Sequence, residues 1–492
     1  MRKSMRTALL LLISGCAAKS CQRADVDRSS LSSWSFDLEG CTSLKLRGAK
    51  IGDAGAKALA EALKTNGELT TLHLGHNAIE AEGAAALAAA LVSNVALTSL
   101  HLVGNAIREE GAWALAEALK VNAVLTSLDL WGDVTIGPEG AKALAAALET
   151  SALTSLHLSG CAINDEGAKA LAHALMGNGG ALTTLDLGHN AIGPEGAAAL
   201  AEALMSNVAL TSLLLRGNKI LAEGATALAA ALKNNHRLTS LNLGSNAIEA
   251  EGAKALAAAL NTSALTSLHL SGCAINDEGA RALSEVLANG GALTTLDLGH
   301  NAIGREGAEA LAKALMANDV LTSLLLRGNW LRDAGARALA QAFGALTSLD
   351  LGSNAINDEG AIALIEAHKT NSALTSLLLK GNSITYSRTY SVGVDFEMEL
   401  AEALKAASLQ ERRSKCDLIL DKLKATAGER IAAENAAAEN AAADRAAEEQ
   451  AVLQKAYTEA YTKGFNDGQA GREFAPIADA LEPTFRLEKD EV

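Results

Sequence analysis

The sequence predicts an α/β solenoid with a parallel sheet on a concave side, helices on a convex side and a helical extension at the C terminus. Two observations predict this fold. The phrase LTSL or LTTL recurs from Leu69 to Leu374 with gaps of 25 to 29 residues, most of them 28. Most copies precede an Ala-rich phrase close to EGA-x-ALA-x-AL, which favours helix. Because one such unit cannot bury its apolar face alone, neighbouring units must stack.

Each unit is predicted to begin with a short strand, continue through a turn and end in a helix. A degenerate first unit starts at Cys41, so thirteen repeats of about 28 residues cover residues 41–404. In LTSLDL, Leu125, Leu128 and Leu130 point inward. Asn at the ninth position, or Cys in its place at Cys161 and Cys273, is predicted to satisfy backbone groups of the turn inside the stack.

The first part of the unit, L-x-x-L-x-L-x-x-N/C-x-I, resembles the leucine-rich repeat. The 28-residue length and the EGA-x-ALA-x-AL half resemble the ribonuclease-inhibitor type, found in NOD-like receptors and Ran GTPase-activating proteins. The resemblance implies a leucine-rich repeat solenoid, or horseshoe, that binds a protein on its concave face. It does not identify the partner.

A longer period is superimposed on the repeat. Residues 151–168 recur identically at 263–280, and residues 182–193 recur at 293–304. Tandem duplication of a four-unit block explains both matches, so equal surface residues in the two copies count once as evidence.

Residues 1–20 resemble a secretory leader, with a basic start, an apolar centre and small residues after it. The segment ending at Cys16 also resembles a lipobox, which would place a lipid on Cys16 in a bacterial host. Residues 21–40 form an N-terminal flank. The final Lys489-Asp490-Glu491-Val492 resembles the KDEL retention signal with Val replacing Leu. Because the buried Cys161 and Cys273 suit a reducing compartment, cytoplasmic and secretory locations stay equally open.

Beyond the repeats, the sequence predicts a helical connector at 405–428, an Ala/Glu-rich helix at 429–463 and a flexible tail at 464–492. Tyr457, Tyr461 and Phe465 share one face of that helix. These aromatic residues either fold back over the open end of the solenoid or dock a partner. We favour the first, since terminal repeats need covering.

The net charge of −15 argues against nucleic acid as a partner. The sequence has no GxxxxGK[ST], GxSxG, HExxH or paired CxxC motif, and no second stretch apolar enough to span a membrane. We therefore predict a monomeric, non-enzymatic protein without a cofactor.

The fifth and seventh positions of the units are predicted to face the concave side and bind a protein partner. The candidate residues are His73, His101, Asp129, Trp131, His157, Asp186, Arg216, Asn242, His269, Asp297, Arg327, Asp350 and Lys380. A metal site or a Ser155/His157/Asp186 relay can also be drawn on these strands. We favour binding, because a Ser or Thr in the third position of every unit guarantees a hydroxyl near some His. The alternative function is a GTPase activator similar to the Ran GTPase-activating proteins.

Overall fold

The computed structural model describes residues 19–22, 26–30, 33–36, 38–176, 181–385, 394–404, 406 and 409–466. The chain divides into two compact units, residues 1–423 and residues 424–492. Residues 1–18, including Cys16, and residues 467–492 lie outside the described part, as do Tyr386 and Tyr390. The predictions of a leader, a lipid anchor and a retention signal therefore stay predictions.

The repeats form one open parallel sheet whose strands follow chain order, as predicted. Each strand contributes positions three to five of its unit to the pairing, for example Ser155↔Thr184 and Leu156↔Leu185. The repeat strands are β4 Cys41–Lys45, β5 Thr71–His73, β6 Ser99–His101, β7 Ser127–Asp129, β8 Ser155–His157, β9 Thr184–Asp186, β10 Ser212–Leu214, β11 Ser240–Asn242, β12 Ser267–His269, β13 Thr295–Asp297, β14 Ser323–Leu325, β15 Ser348–Asp350 and β16 Ser376–Leu378.

A helix follows each repeat strand, and the helices from Gly52–Thr65 to Asp358–His368 pack against those of the neighbouring repeats. The buried residues of these helices are the Gly, Ala and Leu of the GA-x-ALA-x-AL phrase, so small side chains lie where helices meet. The helices are Gly52–Thr65, Ala81–Leu91, Arg108–Leu119, Gly137–Leu148, Asp165–Met176, Pro194–Ser206, Leu221–Leu232, Glu249–Leu260, Asp277–Ala288, Arg305–Leu315, Arg332–Ala340, Asp358–His368, Val394–Leu404 and Leu409–Asn466.

The N-terminal flank contains strands that the sequence analysis did not predict. Strand β1, Lys19–Gln22, pairs in parallel with β4 and extends the sheet by one strand before the first repeat. Strands β2, Val26–Ser30, and β3, Ser33–Phe36, form an antiparallel pair. Cys41, at the start of β4, is disulfide-bonded.

The asparagine ladder between the strands and the helices is confirmed. The Asn246 amide donates to the carbonyls of Leu215 at 2.9 Å and Leu243 at 2.8 Å, which joins two consecutive repeats. Its carbonyl oxygen accepts from the N–H of Ile220 at 3.3 Å. Such contacts satisfy backbone groups that would otherwise be buried without partners.

The two ladder cysteines are interior residues, as predicted. The Cys161 thiol donates to the carbonyl of Leu130 at 3.2 Å, and the Cys273 thiol donates to that of Leu243 at 3.1 Å. Burial raises the pKa of Cys161 to about 12 and that of Cys273 to about 11. Both thiols are therefore protonated and unreactive at neutral pH.

At the start of several helices, backbone N–H groups donate to a carboxylate from the preceding repeat. The Asp165 carboxylate accepts from the N–H groups of Gly193 at 2.6 Å and Gly196 at 2.8 Å. Asp277 makes the same pair of contacts to Gly304 and Gly307. These aspartates satisfy the free N–H groups of the first helical turn and place negative charge at the positive end of the helix dipole.

The C-terminal end of the array is covered by the last repeat's helix, Val394–Leu404, and by the beginning of Leu409–Asn466. Leu400, Cys416, Leu420 and Leu423 are buried in the same apolar core as the repeats. From residue 409 onward, the predicted connector and the Ala/Glu-rich helix belong to one continuous helix, Leu409–Asn466. In the second unit, the described side chains of residues 432–448 are exposed, as the Ala/Glu composition predicts for a solvated helix. Among the described residues, no helix has both the length and the apolar character needed to cross a bilayer.

Candidate functional site

The predicted site residues at the fifth position lie at the C-terminal ends of consecutive strands. Pairing brings His73 beside His101, His101 beside Asp129, and His157 beside Asp186. His269 and Asp297 are paired in the same way. Their side chains are half-buried on the solvent side of the sheet, which we call the strand face. The strand face also holds Asn242 on β11 and Asp350 on β15.

The predicted residues at the seventh position lie just after the strands, along one edge of the strand face. Trp131, Arg216 and Lys380 are exposed, and Arg327 is half-buried. Trp131 is 48% exposed, so this indole offers apolar area that the fold leaves uncovered. All thirteen predicted residues thus share the strand face or its edge.

His73 and His101 are stacked. Their ring centroids are 4.3 Å apart, and the ring planes differ by 13°. Burial lowers the pKa of His73, and the neighbouring His101 and Lys45 lower it further. His73 therefore stays neutral at neutral pH and adds an aromatic surface rather than a charge.

His101 connects this stack to Asp129. The His101 Nδ1 atom is 3.2 Å from Asp129 Oδ2, and Asp129 also accepts from the N–H of Trp131 at 3.1 Å. Burial opposes the charged form of Asp129, but the hydrogen bonds from His101 and Trp131 lower its pKa. Asp129 is therefore a fixed negative charge at neutral pH.

Two further His–Asp pairs have nearly identical geometry. His157 Nδ1 lies 3.6 Å from Asp186 Oδ2, and His269 Nδ1 lies 3.6 Å from Asp297 Oδ2. At this distance the contact is electrostatic rather than a hydrogen bond. The Asp186 carboxylate raises the pKa of His157, and burial partly opposes that effect. His157 therefore carries more positive charge near neutral pH than an isolated histidine.

The Ser155/His157/Asp186 relay drawn from the sequence has the expected order of contacts. The Ser155 hydroxyl and His157 Nε2 are 2.8 Å apart. The same arrangement recurs at Ser99/His101 with 3.0 Å and at Ser267/His269 with 2.9 Å. Its recurrence follows from two residues of one strand pointing to the same face. Nucleophilic catalysis also needs donors aimed at a developing oxyanion, and the side chains of this relay provide none.

The strand face is an open surface. Among the described residues, no group of three or more His, Cys, Asp or Glu side chains is arranged to hold a metal ion. A cleft of about 400 Å³ lies elsewhere, at the N-terminal end, where Phe36, Leu38, Asn66 and Glu68 line it. It contains none of the predicted site residues.

A row of histidines beside the strand face was not among the predicted site residues. His76, His189 and His300 are exposed residues at the eighth position, and each has a positive φ between 51° and 56°. The Arg47 guanidinium contacts the His76 Nε2 atom at 2.9 Å. The recurring phrase LGHN was the available signal, since it places His directly before the ladder Asn.

The repeats match a known family. Ten segments match the family described as "Leucine Rich repeat", at residues 42–60, 68–88, 93–116, 152–172, 182–201, 234–257, 263–284, 293–312, 317–340 and 346–364. The chain is a leucine-rich repeat protein. The matches do not assign these leucine-rich repeats to the ribonuclease-inhibitor type.

Comparisons with whole proteins are less informative than the match of the repeats. No curated protein matches this leucine-rich repeat protein. Similar solved structures include "Crystal structure of Rad7 and Elc1 complex in yeast", with 19% identity, a TM-score of 0.43, and coverage of 70% of this chain and 87% of that one. Another is "Crystal structure of TLR13-ssRNA13 complex", with 18% identity, a TM-score of 0.40, and coverage of 71% and 57%.

Proposed function

We propose that this protein is a non-enzymatic interaction scaffold whose strand face binds a protein partner. One observation supports this most directly: pairing in register places the predicted polar side chains side by side along a single sheet. Negative charges at Asp186 and Asp297 alternate with positive charges at Arg216 and Arg327. A shallow face of mixed charge suits a protein surface better than a small molecule, which needs an enclosed pocket.

The aromatic side chain at the edge of this face supports the same proposal. Trp131 is exposed, while its backbone N–H is held by the Asp129 carboxylate. Trp in a pre-ordered setting is favoured at the centre of protein interfaces, because it buries a large area with little loss of conformational entropy. No described residue favours the GTPase-activator alternative, so we do not propose it.

The test is charge reversal on the strand face, compared with charge reversal on a helix. The full chain, the double variant Asp186→Lys/Asp297→Lys and the helix variant Glu202→Lys are each used for chemical cross-linking and mass spectrometry in cells. We expect partners cross-linked to wild type and to the helix variant to fall at least tenfold with the strand-face variant. Circular dichroism confirms that each variant is folded. An unchanged set of partners in the strand-face variant contradicts the proposal.

A further inference from the structure

The two copies of the four-unit block have diverged unequally. Four nine-residue strand segments of the first block are compared with their copies in the second block. The segments of the first block begin at Leu153, Leu182, Leu210 and Leu238, and the copies begin at Leu265, Leu293, Leu321 and Leu346. In these segments only 1 of 36 positions differs, Asn242 against Asp350. In the helical residues common to both copies, 17 of 43 positions differ. The helices have therefore diverged since the duplication, whereas the strand segments have stayed nearly identical.

Burial does not explain this difference. Helix-face residues that are exposed in both copies have changed in character, with Glu202 against Lys313 and His173 against Glu285. On the strand face, the fifth and eighth positions also reach solvent in both blocks and vary among the first four units, where the fifth position is Lys45, His73, His101 and Asp129. Between the two blocks, 7 of these 8 positions are identical, as is the accessible seventh position at Arg216 and Arg327. The fold permits variation at these positions, yet the duplicated copies have kept the same residues.

The retained residues form the same patch twice. The first patch is His157, Asp186, Leu214 and Arg216, and the second is His269, Asp297, Leu325 and Arg327. Their order across the strands is equal, since Asp186 pairs with Leu214 and Asp297 pairs with Leu325. The His–Asp distance is 3.6 Å in both. Each patch presents a carboxylate, a half-buried leucine and a guanidinium in a row.

We infer that the strand face holds two equivalent binding sites and that its partner is a polypeptide carrying the same short motif twice. This inference rests on the proposed function. Complementarity to the patch defines the motif. A basic side chain of the partner contacts Asp186, an apolar side chain contacts Leu214 and an acidic side chain contacts Arg216. The second copy of the motif makes the equivalent contacts with the second patch. Four strands at about 4.8 Å separate the patches by roughly 19 Å, which about six residues of extended chain can span.

The experiment measures how many peptides one chain binds. A random 12-residue peptide library displayed on phage is selected on the full chain and counter-selected on the double variant Arg216→Glu/Arg327→Glu, because neither arginine side chain is buried in the fold. The best synthetic peptide is then titrated calorimetrically. We expect two peptides per wild-type chain, one for either single variant and none for the double variant. A tandem peptide joined by a flexible linker should bind one per chain, roughly 100-fold more tightly.

Two controls keep the outcomes distinct. The helix-face variant Glu202→Lys should bind two peptides as wild type does, and Leu214→Ala should remove one site without a change of charge. One peptide per wild-type chain, lost in only one of the single variants, overturns the inference of two sites and leaves the proposed function standing. A library that yields no peptide after counter-selection contradicts both.

Discussion

The middle of the repeat array and its two ends are stabilised by different means. In the middle, each repeat uses the same contacts to its neighbours, such as the Asn246 amide on the carbonyls of two repeats and the Asp165 carboxylate on the next helix. At the ends, residues without a counterpart in the repeats replace the missing neighbour. A disulfide at Cys41 lies at the first repeat, and Arg412 lies against the twelfth. Identical units stabilise each other, but the array needs distinct residues to end.

The C-terminal end shows the difference at one position. The last helix position that is Leu260 in an inner repeat is His368 in the twelfth repeat. His368 is fully buried, and neither ring nitrogen has a hydrogen-bond partner among the described residues. The Arg412 guanidinium lies near it and donates to the carbonyl of Asn371. The covering helix thus brings a polar pair into a place where the inner repeats have only apolar side chains.

The largest expected effect on stability comes from a substitution in the middle of the repeat array. Asn246→Leu removes one of the donors to each of the Leu215 and Leu243 carbonyls, which keep the Asn218 amide and the Cys273 thiol as partners. It also removes the acceptor for the N–H of Ile220, which is then buried without a partner. An unsatisfied buried N–H costs about 1–3 kcal/mol and each lost hydrogen bond about 1 kcal/mol, so we expect a loss of roughly 3–5 kcal/mol in the free energy of unfolding. Urea unfolding followed by circular dichroism measures it.

Asn246→Cys is the matched control, because Cys161 and Cys273 occupy the same ladder position. A thiol can donate to one carbonyl, as Cys161 does to Leu130. We therefore expect Asn246→Cys to lose less than half as much stability as Asn246→Leu. Equal losses from the two variants would show that side-chain volume, rather than the hydrogen bonds, sets the stability of the ladder.

The second prediction concerns the C-terminal end and its dependence on pH. Burial, together with the charge of Arg412, lowers the pKa of His368 to about 4. In the unfolded chain a histidine has a pKa of about 6.5, so below that pH the unfolded state binds the proton more readily. Stability is therefore unaffected by His368 above pH 6.5 and falls as the pH drops from about 6.5 to about 4, by at most about 3 kcal/mol.

His368→Leu, which copies the inner repeats, isolates this effect from the other titrating groups. We expect the difference in unfolding free energy between the variant and wild type to grow as the pH falls from 7.5 to 4.5, since only wild type must keep a neutral histidine buried. The measurement is a series of urea titrations across that range. A difference independent of pH would mean that His368 is protonated equally in both states.

The contacts of the inner repeats could be predicted from the sequence, whereas those at the two ends of the repeat array could not. Repetition shows that Leu125 or Asn105 has an equivalent in every unit, so one interpretation applies to all and each neighbour is known in advance. The neighbours on the strand face could be predicted for the same reason, because the fixed repeat spacing places His157 beside Asp186. The disulfide of Cys41, strand β1 and the position of Arg412 near His368 each occur once in the chain. No periodicity predicts such contacts.

The third prediction concerns the N-terminal end. Reduction, or Cys41→Ser, removes a covalent link that the inner repeats do not have. Since loss of a native disulfide generally costs about 2–4 kcal/mol and this one lies at an end, we expect a loss near the lower limit of about 2 kcal/mol. Thermal unfolding with and without dithiothreitol measures it in wild type. In Cys41→Ser the reductant should have no further effect; a further decrease would mean that another disulfide stabilises the fold.

The smallest expected effect is on the helix face in the middle of the array. Lys254 lies 2.8 Å from Glu251 and 2.6 Å from Glu278, on side chains that water reaches. The equivalent position in the second block is Ile362, so the duplicated repeat folds without this cation. Exposed ion pairs are screened by water and salt, and we expect Lys254→Ile to leave the urea midpoint unchanged at 0.15 M salt. A decrease as large as that of Asn246→Cys would mean that the helix face stabilises the array as much as the ladder does, and its divergence between the blocks would then need another cause.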